Sequence, residues 1–149
     1  MMLNQKYKLI IPTVLLIIIL DQLSKFFIKK NVGLNQSLPI IDSILHFTYV
    51  TNTGSAFGLL KGFNLFFILL SVIVITAIFY YIKKIKNNER LLQFSAGLLL
   101  GGTIGNLIDR ILYGFVIDFV DFRVWPVFNI ADSAISISIT LIIILLWKE

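Results

Sequence analysis

Four long apolar segments, separated by shorter charged stretches, dominate this chain of 149 residues. They run from about Leu9 to Ile28, Gly62 to Ile82, Leu91 to Ile108 and Val127 to Trp147. Each approaches the roughly 20 apolar residues that an α-helix needs to cross a bilayer. The chain is 58% hydrophobic with a mean hydropathy of +0.92, which is more apolar surface than a water-soluble domain of this size could bury. We therefore predict an all-α membrane protein with four transmembrane helices, forming one domain over residues 1–149.

Lysine and arginine residues flank the apolar segments and give the chain a formal net charge of +5. They lie before the first segment, between the second and the third, and after the fourth: Lys6, Lys8, Lys83, Lys84, Lys86, Arg90 and Lys148. Cytoplasmic loops of membrane proteins carry an excess of these residues, so both termini are predicted to be cytoplasmic. A basic chain can also bind nucleic acid, but this positional pattern argues against it. Lys25, Lys29 and Lys30 depart from the rule, because they lie at the outer end of the first segment.

Two segments are then predicted to lie on the outer side of the membrane. The longer one, residues 29–61, contains His46 to Val50, whose aromatic and β-branched residues favour a short strand, and then a turn-prone run from Asn52 to Gly58. We predict a small extracytoplasmic β-cradle here, between helices 1 and 2. The shorter segment, residues 112–126, is apolar for a solvated turn, and we expect a loop along the membrane surface.

Asp21 and Lys25 place two charges within the first apolar segment. A charged side chain at bilayer depth costs roughly 2.5–3.5 kcal/mol, so it needs a partner or a function. These residues are four apart, so they face the same way on a helix and can pair. We interpret them as a structural ion pair near the outer interface, with the lysine head group extending to the interface. A direct catalytic role is the alternative.

Glycines and polar residues mark the third segment. Glycine recurs every four residues from Gly97 to Gly105, which forms a bare stripe that lets another helix approach closely. Just beyond, Asn106 and Arg110 share a helix face. Arg110 can be interpreted as an interfacial anchor, as a partner of Asp109, or as a clamp on a carbonyl or phosphate group, which guanidinium geometry suits.

Two aspartates near the start of the fourth segment complete a polar cluster. Asp132 lies about one turn inside an otherwise uncharged helix, with Asn129 on the same face, and Asp118 lies in the preceding apolar loop. Taken alone, Asp132 could simply complement a helix N-terminus, a contribution of a few tenths to about 1 kcal/mol, and Asp118 could be an ordinary loop residue. Together with Asn106 and Arg110, they indicate a functional site at one membrane depth.

The residue types present restrict the chemistry of such a site. The chain contains no cysteine and one histidine, His46, so thiol catalysis and the usual metal sites lack their ligands. Ser24 and Lys25 are neighbours and point about 100° apart on a helix, which does not suit a Ser–Lys dyad. Two carboxylates in a low-dielectric site can instead share one proton, so that one acid donates while the other accepts a proton from water. The sequence therefore predicts an aspartic peptidase.

Five short motifs occur in order along the chain: Asp21-Gln22-Leu23-Ser24-Lys25, Asn52-Thr53-Gly54-Ser55-Ala56-Phe57, the run Gly101 to Arg110, Val116-Ile117-Asp118-Phe119, and Phe128-Asn129-Ile130-Ala131-Asp132-Ser133. Each motif is modest by itself. Their order on a four-span chain of this length resembles lipoprotein signal peptidase (signal peptidase II), a family of bacterial intramembrane aspartic peptidases. The resemblance covers essentially the whole chain.

This resemblance implies roles for individual residues. The catalytic pair would be Asp118 and Asp132. The residues that would line the site and hold the substrate are Asn52, Asn106, Arg110 and Asn129. The residues that would support the fold and the site are Asp21, Lys25 and Gly54. No metal or organic cofactor is implied.

The resemblance also implies the substrate and the location. The substrate would be a prolipoprotein whose cysteine already carries diacylglycerol, and the bond cut would lie just before that cysteine. The protein would span the bacterial cytoplasmic membrane, among membrane lipids, with its active site near the outer leaflet. Globomycin would inhibit it. We expect a monomer that has no nucleic-acid partner.

Two other functional classes account for parts of the sequence. A proton-coupled transporter would use buried aspartate, lysine and arginine, but it would place polar residues at several depths, whereas here they crowd the outer half. A non-enzymatic membrane adaptor would tolerate the loss of either Asp118 or Asp132. Replacing each aspartate separately distinguishes these classes from a peptidase.

Overall fold

The computed structural model describes residues 5–54, 60 and 62–147, and these form four helices and three strands. The helices are α1 (Tyr7–Asn31), α2 (Asn64–Ile82), α3 (Arg90–Tyr113) and α4 (Ile130–Trp147). The strands are β1 (Ser37–Ile41), β2 (Leu45–Asn52) and β3 (Val116–Asp121). All four helices are long and apolar enough to cross a membrane. The predicted four-helix membrane protein with a small sheet is confirmed.

The helices start and end differently from the apolar runs that predicted them. α1 and α3 continue beyond their apolar runs, and α3 ends only at Gly114, whose φ of 80° is the left-handed geometry that suits a glycine C-cap. α4 begins at Ile130 and not at Val127, because Phe128 pairs with Val120 of β3 as an isolated antiparallel bridge. Hydropathy alone does not separate this extended residue from the helix that follows.

α3 lies at the centre of the bundle and contacts α1, α2, α4 and β3. Its glycines make this possible: a Cβ atom at Gly97 would lie 2.7 Å from the Thr13 side chain of α1. On another face, a Cβ atom at Gly102 would lie 2.6 Å from the backbone carbonyl oxygen of Ala131 in α4. The glycine stripe therefore serves close helix packing, as the sequence predicted.

The sheet is antiparallel with the order β1-β2-β3. β1 and β2 come from the segment between α1 and α2, as predicted. β3 comes from the second outer segment, so the expectation of a surface loop there was wrong. Its run of β-branched and aromatic residues pairs with β2, and Asp118 lies opposite Val50. This pairing satisfies the backbone hydrogen bonds of an apolar segment that water could not easily solvate.

A small apolar cluster fixes the sheet to the C-terminal end of α1. It consists of Ile28 from α1, Val32 directly after it, Tyr49 from β2, and Ile117 and Phe119 from β3. Side chains alternate along a strand, so Asp118 points away from the face that carries Ile117 and Phe119. The packing of one face thus directs the aspartate toward the helices.

Candidate active site

Asp118 lies on β3 and is almost fully buried, with 3% of its surface exposed. Two neutral amides contact its carboxylate. The Asn52 Nδ2 atom donates to Oδ2 at 3.0 Å, and the Asn129 Nδ2 atom donates to Oδ1 at 2.7 Å. Both oxygens therefore accept a hydrogen bond, and neither contact supplies a full positive charge.

Asp132 lies in the first turn of α4 and is held by the same type of group. The Asn106 Nδ2 atom donates to Asp132 Oδ1 at 2.7 Å. The backbone N–H of Asp132 donates to Asn129 Oδ1 at 2.8 Å, so that Asn129 caps the start of the helix. Asn129 thereby contacts both aspartates, donating to Asp118 and accepting from Asp132.

The orientation of the Asn106 amide is fixed by a lysine. The Lys25 Nζ atom donates to Asn106 Oδ1 at 3.1 Å, and Asn129 Nδ2 donates to the same oxygen at 3.2 Å. Because the amide oxygen faces these two donors, the amide nitrogen faces Asp132. The amides of Asn106 and Asn129 form a bridge between the two acids.

Burial is the main cause of the raised pKa of Asp118. Removal from water, and to a smaller extent the nearby Asp132, raise the pKa of Asp118 to about 7. The hydrogen bonds from Asn52 and Asn129 and the more distant Lys25 act in the opposite direction. Near neutral pH, Asp118 therefore exists in comparable amounts as acid and carboxylate.

Arg110 extends from α3 toward the same space. Its Nη2 atom donates to the Gly54 carbonyl oxygen at 3.3 Å, and its guanidinium carbon lies 5.0 Å from the centre of the Phe67 ring. Within the described residues Arg110 forms no ion pair, and Asp109 pairs instead with Lys25. The interpretation of Arg110 as the partner of Asp109 is therefore wrong, and its guanidinium is available to a ligand.

These residues line one cavity of about 620 Å³ between α2, α3, α4 and β3. Its polar part contains both aspartates, Asn52, Asn106 and Arg110, with Gly54 beside them, and four hydroxyl residues: Ser71, Thr103, Ser133 and Ser136. Its apolar part includes Phe67, Trp125 and Ile137. Among the described residues no group of three or more His, Cys, Asp or Glu side chains is placed to hold a metal ion. The cavity thus combines two acids, one cation and an apolar wall, which suits an amphiphilic ligand with an amide bond.

Asp21 and Lys25 form a second buried cluster behind this cavity. Lys25 Nζ lies 2.8 Å from Asp21 Oδ2 and 3.0 Å from Asp109 Oδ2, so the predicted ion pair is confirmed. The expectation that the lysine extends to the interface was wrong, since only 2% of its side chain is exposed and it points inward. The two nearby carboxylates stabilise the Lys25 ammonium group inside the protein, so it does not extend to the membrane surface.

This second cluster also holds the backbone beside Asp118 and Asp132. Asp21 Oδ1 accepts the Ala131 N–H at 2.9 Å, next to Asp132 in sequence. Asp109 Oδ2 accepts the Ile117 N–H at 3.0 Å, next to Asp118. These contacts are compatible with the supporting role expected of Asp21 and Lys25, which stays a prediction.

Asp109 was missed as a supporting residue, although the sequence contains a usable signal. It follows Gly105 by four residues, so it lies on the same face of α3. A Cβ atom at Gly105 would lie 2.7 Å from Asp21 Oδ2, so this face meets α1 at its charged residues. Ser55, Ala56 and Phe57 of the second motif lie outside the described residues, whereas Asn52 and Gly54 of that motif lie in the site.

The family model for signal peptidase (SPase) II matches residues 13–148. A lipoprotein signal peptidase of Halothermothrix orenii is 44% identical over 136 residues, which cover 91% of this chain and 93% of the relative. A lipoprotein signal peptidase of Moorella thermoacetica is 46% identical over 134 residues, which cover 90% of this chain and 87% of the relative.

Solved structures of a bacterial membrane enzyme have the same fold. One matches with a TM-score of 0.88 and 37% identity, over 93% of this chain and 87% of its own. Another matches with a TM-score of 0.86 and 36% identity, over 93% of this chain and 92% of its own. Sequence and structure comparisons therefore agree over nearly the full length.

Proposed function

The chain belongs to the signal peptidase II family, and we propose that it is a membrane peptidase that removes signal peptides from prolipoproteins. The bond that it hydrolyses lies just before the lipidated cysteine. The observation that carries this proposal is the junction of two aspartates from separate segments at the Asn129 amide, inside one amphiphilic cavity.

The catalytic type that best fits this arrangement is aspartic. Asp118 begins protonated and donates a hydrogen bond to the carbonyl oxygen of the scissile amide. Asp132 begins ionised and takes a proton from a water molecule, whose oxygen adds to the carbonyl carbon. The carbon–nitrogen bond then breaks as Asp118 gives its proton to the leaving amine and the carbonyl re-forms, and the pair keeps the single proton that Asp132 took from water. No metal or thiol is required for these steps.

The polar residues around the pair have positioning roles in this proposal. Asn106 and Asn129 hold the carboxylates in place through the amide bridge. Asn52 and Arg110 lie at the edge of the cavity toward the sheet, where they can bind backbone carbonyl oxygens of the substrate or oxygens of its lipid linkage. Gly54 accepts from Arg110 and sets the direction of the guanidinium.

The location of the cavity suits a substrate that is half lipid and half peptide. The protein is a multi-pass membrane protein. We propose cytoplasmic termini, which place the sheet and the cavity at the outer leaflet, where a lipidated cysteine lies. The apolar part of the cavity can hold hydrocarbon, and globomycin would compete for the same space. One protomer supplies every proposed site residue, which is consistent with activity as a monomer.

Separate Asp118→Asn and Asp132→Asn variants, assayed on a diacylglyceryl-modified prolipoprotein, test the peptidase mechanism. General acid–base groups contribute roughly 10²- to 10⁴-fold to rate, and here each acid is half of the machinery, so we expect a loss at or beyond the upper end of that range. Insertion and thermal unfolding should stay close to wild type, because asparagine preserves the shape.

Asp42→Asn is the matched control, since Asp42 is an exposed acid on the turn between β1 and β2. It should keep full activity. Cleavage at the wild-type rate by either active-site variant would refute the aspartic mechanism and favour an adaptor. If the wild-type protein carries protons into vesicles and either substitution abolishes this flux, the transporter is favoured.

A further inference from the structure

A second cavity lies beside the one that contains the aspartate pair, between the C-terminal ends of α1 and α3. Its volume is about 460 Å³. Its lining includes three lysines and one aspartate, and we call it the lysine cavity: Gln22, Lys25, Phe26, Lys29, Lys30, Asp109, Tyr113 and Ile117. The proposed peptidase chemistry uses neither Lys29 nor Lys30.

The lysine cavity carries excess positive charge. Lys25 is neutralised by Asp21 and Asp109, which are buried against it. Within the part of the chain that the structure describes, neither Lys29 nor Lys30 forms an ion pair. The local sum is three lysines against two aspartates, which leaves one positive charge.

The position of these lysines is unusual for a membrane protein. Lys29 and Lys30 are exposed in the last turn of α1, at the end that the remaining charges assign to the outer side. Lysine is normally kept at the cytoplasmic side, so two adjacent lysines here call for a specific reason. A favourable interaction with the C-terminal end of the helix dipole explains part of their placement, but not why both line one cavity.

A contact with the Tyr113 ring holds the Lys29 ammonium group in place. Lys29 Nζ lies 4.0 Å from the centre of the Tyr113 ring, which holds it over the cavity. Lys30 lines the same cavity. Two ammonium groups at one cavity suit an oxyanion such as a phosphate.

We propose that the lysine cavity binds the phosphate of an anionic phospholipid headgroup of the phosphatidylglycerol type. Basic pockets between transmembrane helices are recognised sites for anionic headgroups. The neighbouring surface is apolar, and the Phe26 side chain is 58% exposed, so acyl chains can lie beside the cavity. A soluble phosphate would gain nothing from that apolar surface. The inference is independent of the peptidase mechanism.

Native mass spectrometry of the full-length protein in detergent, titrated with phosphatidylglycerol or phosphatidylcholine, tests the proposal. Wild type should bind one phosphatidylglycerol molecule in preference to phosphatidylcholine. Lysines near an anionic surface contribute about 1 kcal/mol each, so Lys29→Ala with Lys30→Ala should weaken phosphatidylglycerol binding roughly 30-fold. Lys29→Arg with Lys30→Arg keeps both charges and should retain the preference, which separates a lost site from a misfolded protein.

Lys83→Ala with Lys84→Ala is the matched control. These lysines are also adjacent and exposed, and Lys84 also lies over a tyrosine ring, 4.6 Å from the centre of Tyr80. Equal weakening by this control pair would show nonspecific attraction and overturn the proposal. Complete displacement of the lipid by inorganic phosphate at a similar concentration would also overturn it, in favour of a soluble oxyanion. Cleavage of prolipoprotein is measured in parallel and should persist in the alanine pair.

Discussion

Two pairs of buried aspartates lie beside each other against α3, linked through Asn106, and they differ in one respect. Asp21 and Asp109 have a lysine between them, with both ion pairs at 3.0 Å or less. Asp118 and Asp132 have neutral amides between them, from Asn106 and Asn129. Among the described residues, the second pair has no ion-pair partner.

This difference suits the first pair to a structural role and the second pair to the proposed proton transfer. Two acids with a cation between them can both ionise, and they then accept backbone N–H groups as permanent anchors. Two acids that only amides contact cannot both ionise at low dielectric, so one keeps a proton. We infer that this contrast matters for the proposed chemistry: Lys25 pairs directly with Asp21 and Asp109, whereas no described cation pairs directly with Asp118 or Asp132.

The largest expected effect on stability is that of Lys25→Met. Removing the ammonium leaves Asp21 and Asp109 buried without a cation, and breaking a buried pair in this way costs about 3–5 kcal/mol. Thermal unfolding in detergent should begin at a clearly lower temperature. Lys29→Met, one turn further along α1 at an exposed position, should unfold like wild type.

A triple variant sharpens that prediction. Adding Asp21→Asn and Asp109→Asn to Lys25→Met removes the uncompensated charges, so part of the lost stability should return. If Lys25→Met unfolds at the same temperature as Lys29→Met, the cluster does not hold the fold, and the contrast between the two acid pairs fails.

The sequence predicted contacts within one helix better than contacts between distant segments, for physical reasons. The pairing of Asp21 with Lys25 follows from helical spacing, since both residues lie on one helix. The partner Asp109 and the strand around Asp118 depend on contacts between distant segments. Local periodicity contains no information on which strand pairs with β2, so the β3 segment looked like an apolar loop. The amide bridge likewise appears only when Asn106 and Asn129 meet in three dimensions.

Arg110→Lys should have an intermediate effect, on activity alone. Lysine keeps the charge but lacks the planar fork that binds two oxygens, and one hydrogen bond to a charged group contributes about 1.5–3 kcal/mol. We expect a loss of at least roughly tenfold in kcat/KM, with normal insertion. Arg90→Lys, an exposed position at the other end of α3, is the control and should have no effect. Full activity of Arg110→Lys would exclude a bidentate role.

The smallest expected effect concerns the pH dependence of activity. It tests most directly whether Asp118 carries the catalytic proton. The pKa of Asp118 is about 7, so the protonated acid that the mechanism needs is lost as pH rises through that value. We therefore expect kcat/KM to fall on the alkaline side, with a midpoint near pH 7.

Asn52 allows that midpoint to be moved in both directions. Its Nδ2 atom donates to Asp118 Oδ2 at 3.0 Å and stabilises the ionised form. Asn52→Ala removes this hydrogen bond, so the pKa of Asp118 should rise and the alkaline limb should move to higher pH. Asn52→Lys places a cation beside the carboxylate, as Lys25 does for Asp21, so the pKa should fall and the limb should move to lower pH. Each shift should be about one pH unit, since a unit corresponds to about 1.4 kcal/mol, close to the value of one hydrogen bond. Both variants can also weaken substrate binding. The readout is therefore the pH midpoint of the alkaline limb, and not the maximum value of kcat/KM. If the alkaline limb has the same pH midpoint in both variants as in wild type, the catalytic proton belongs to a group other than Asp118.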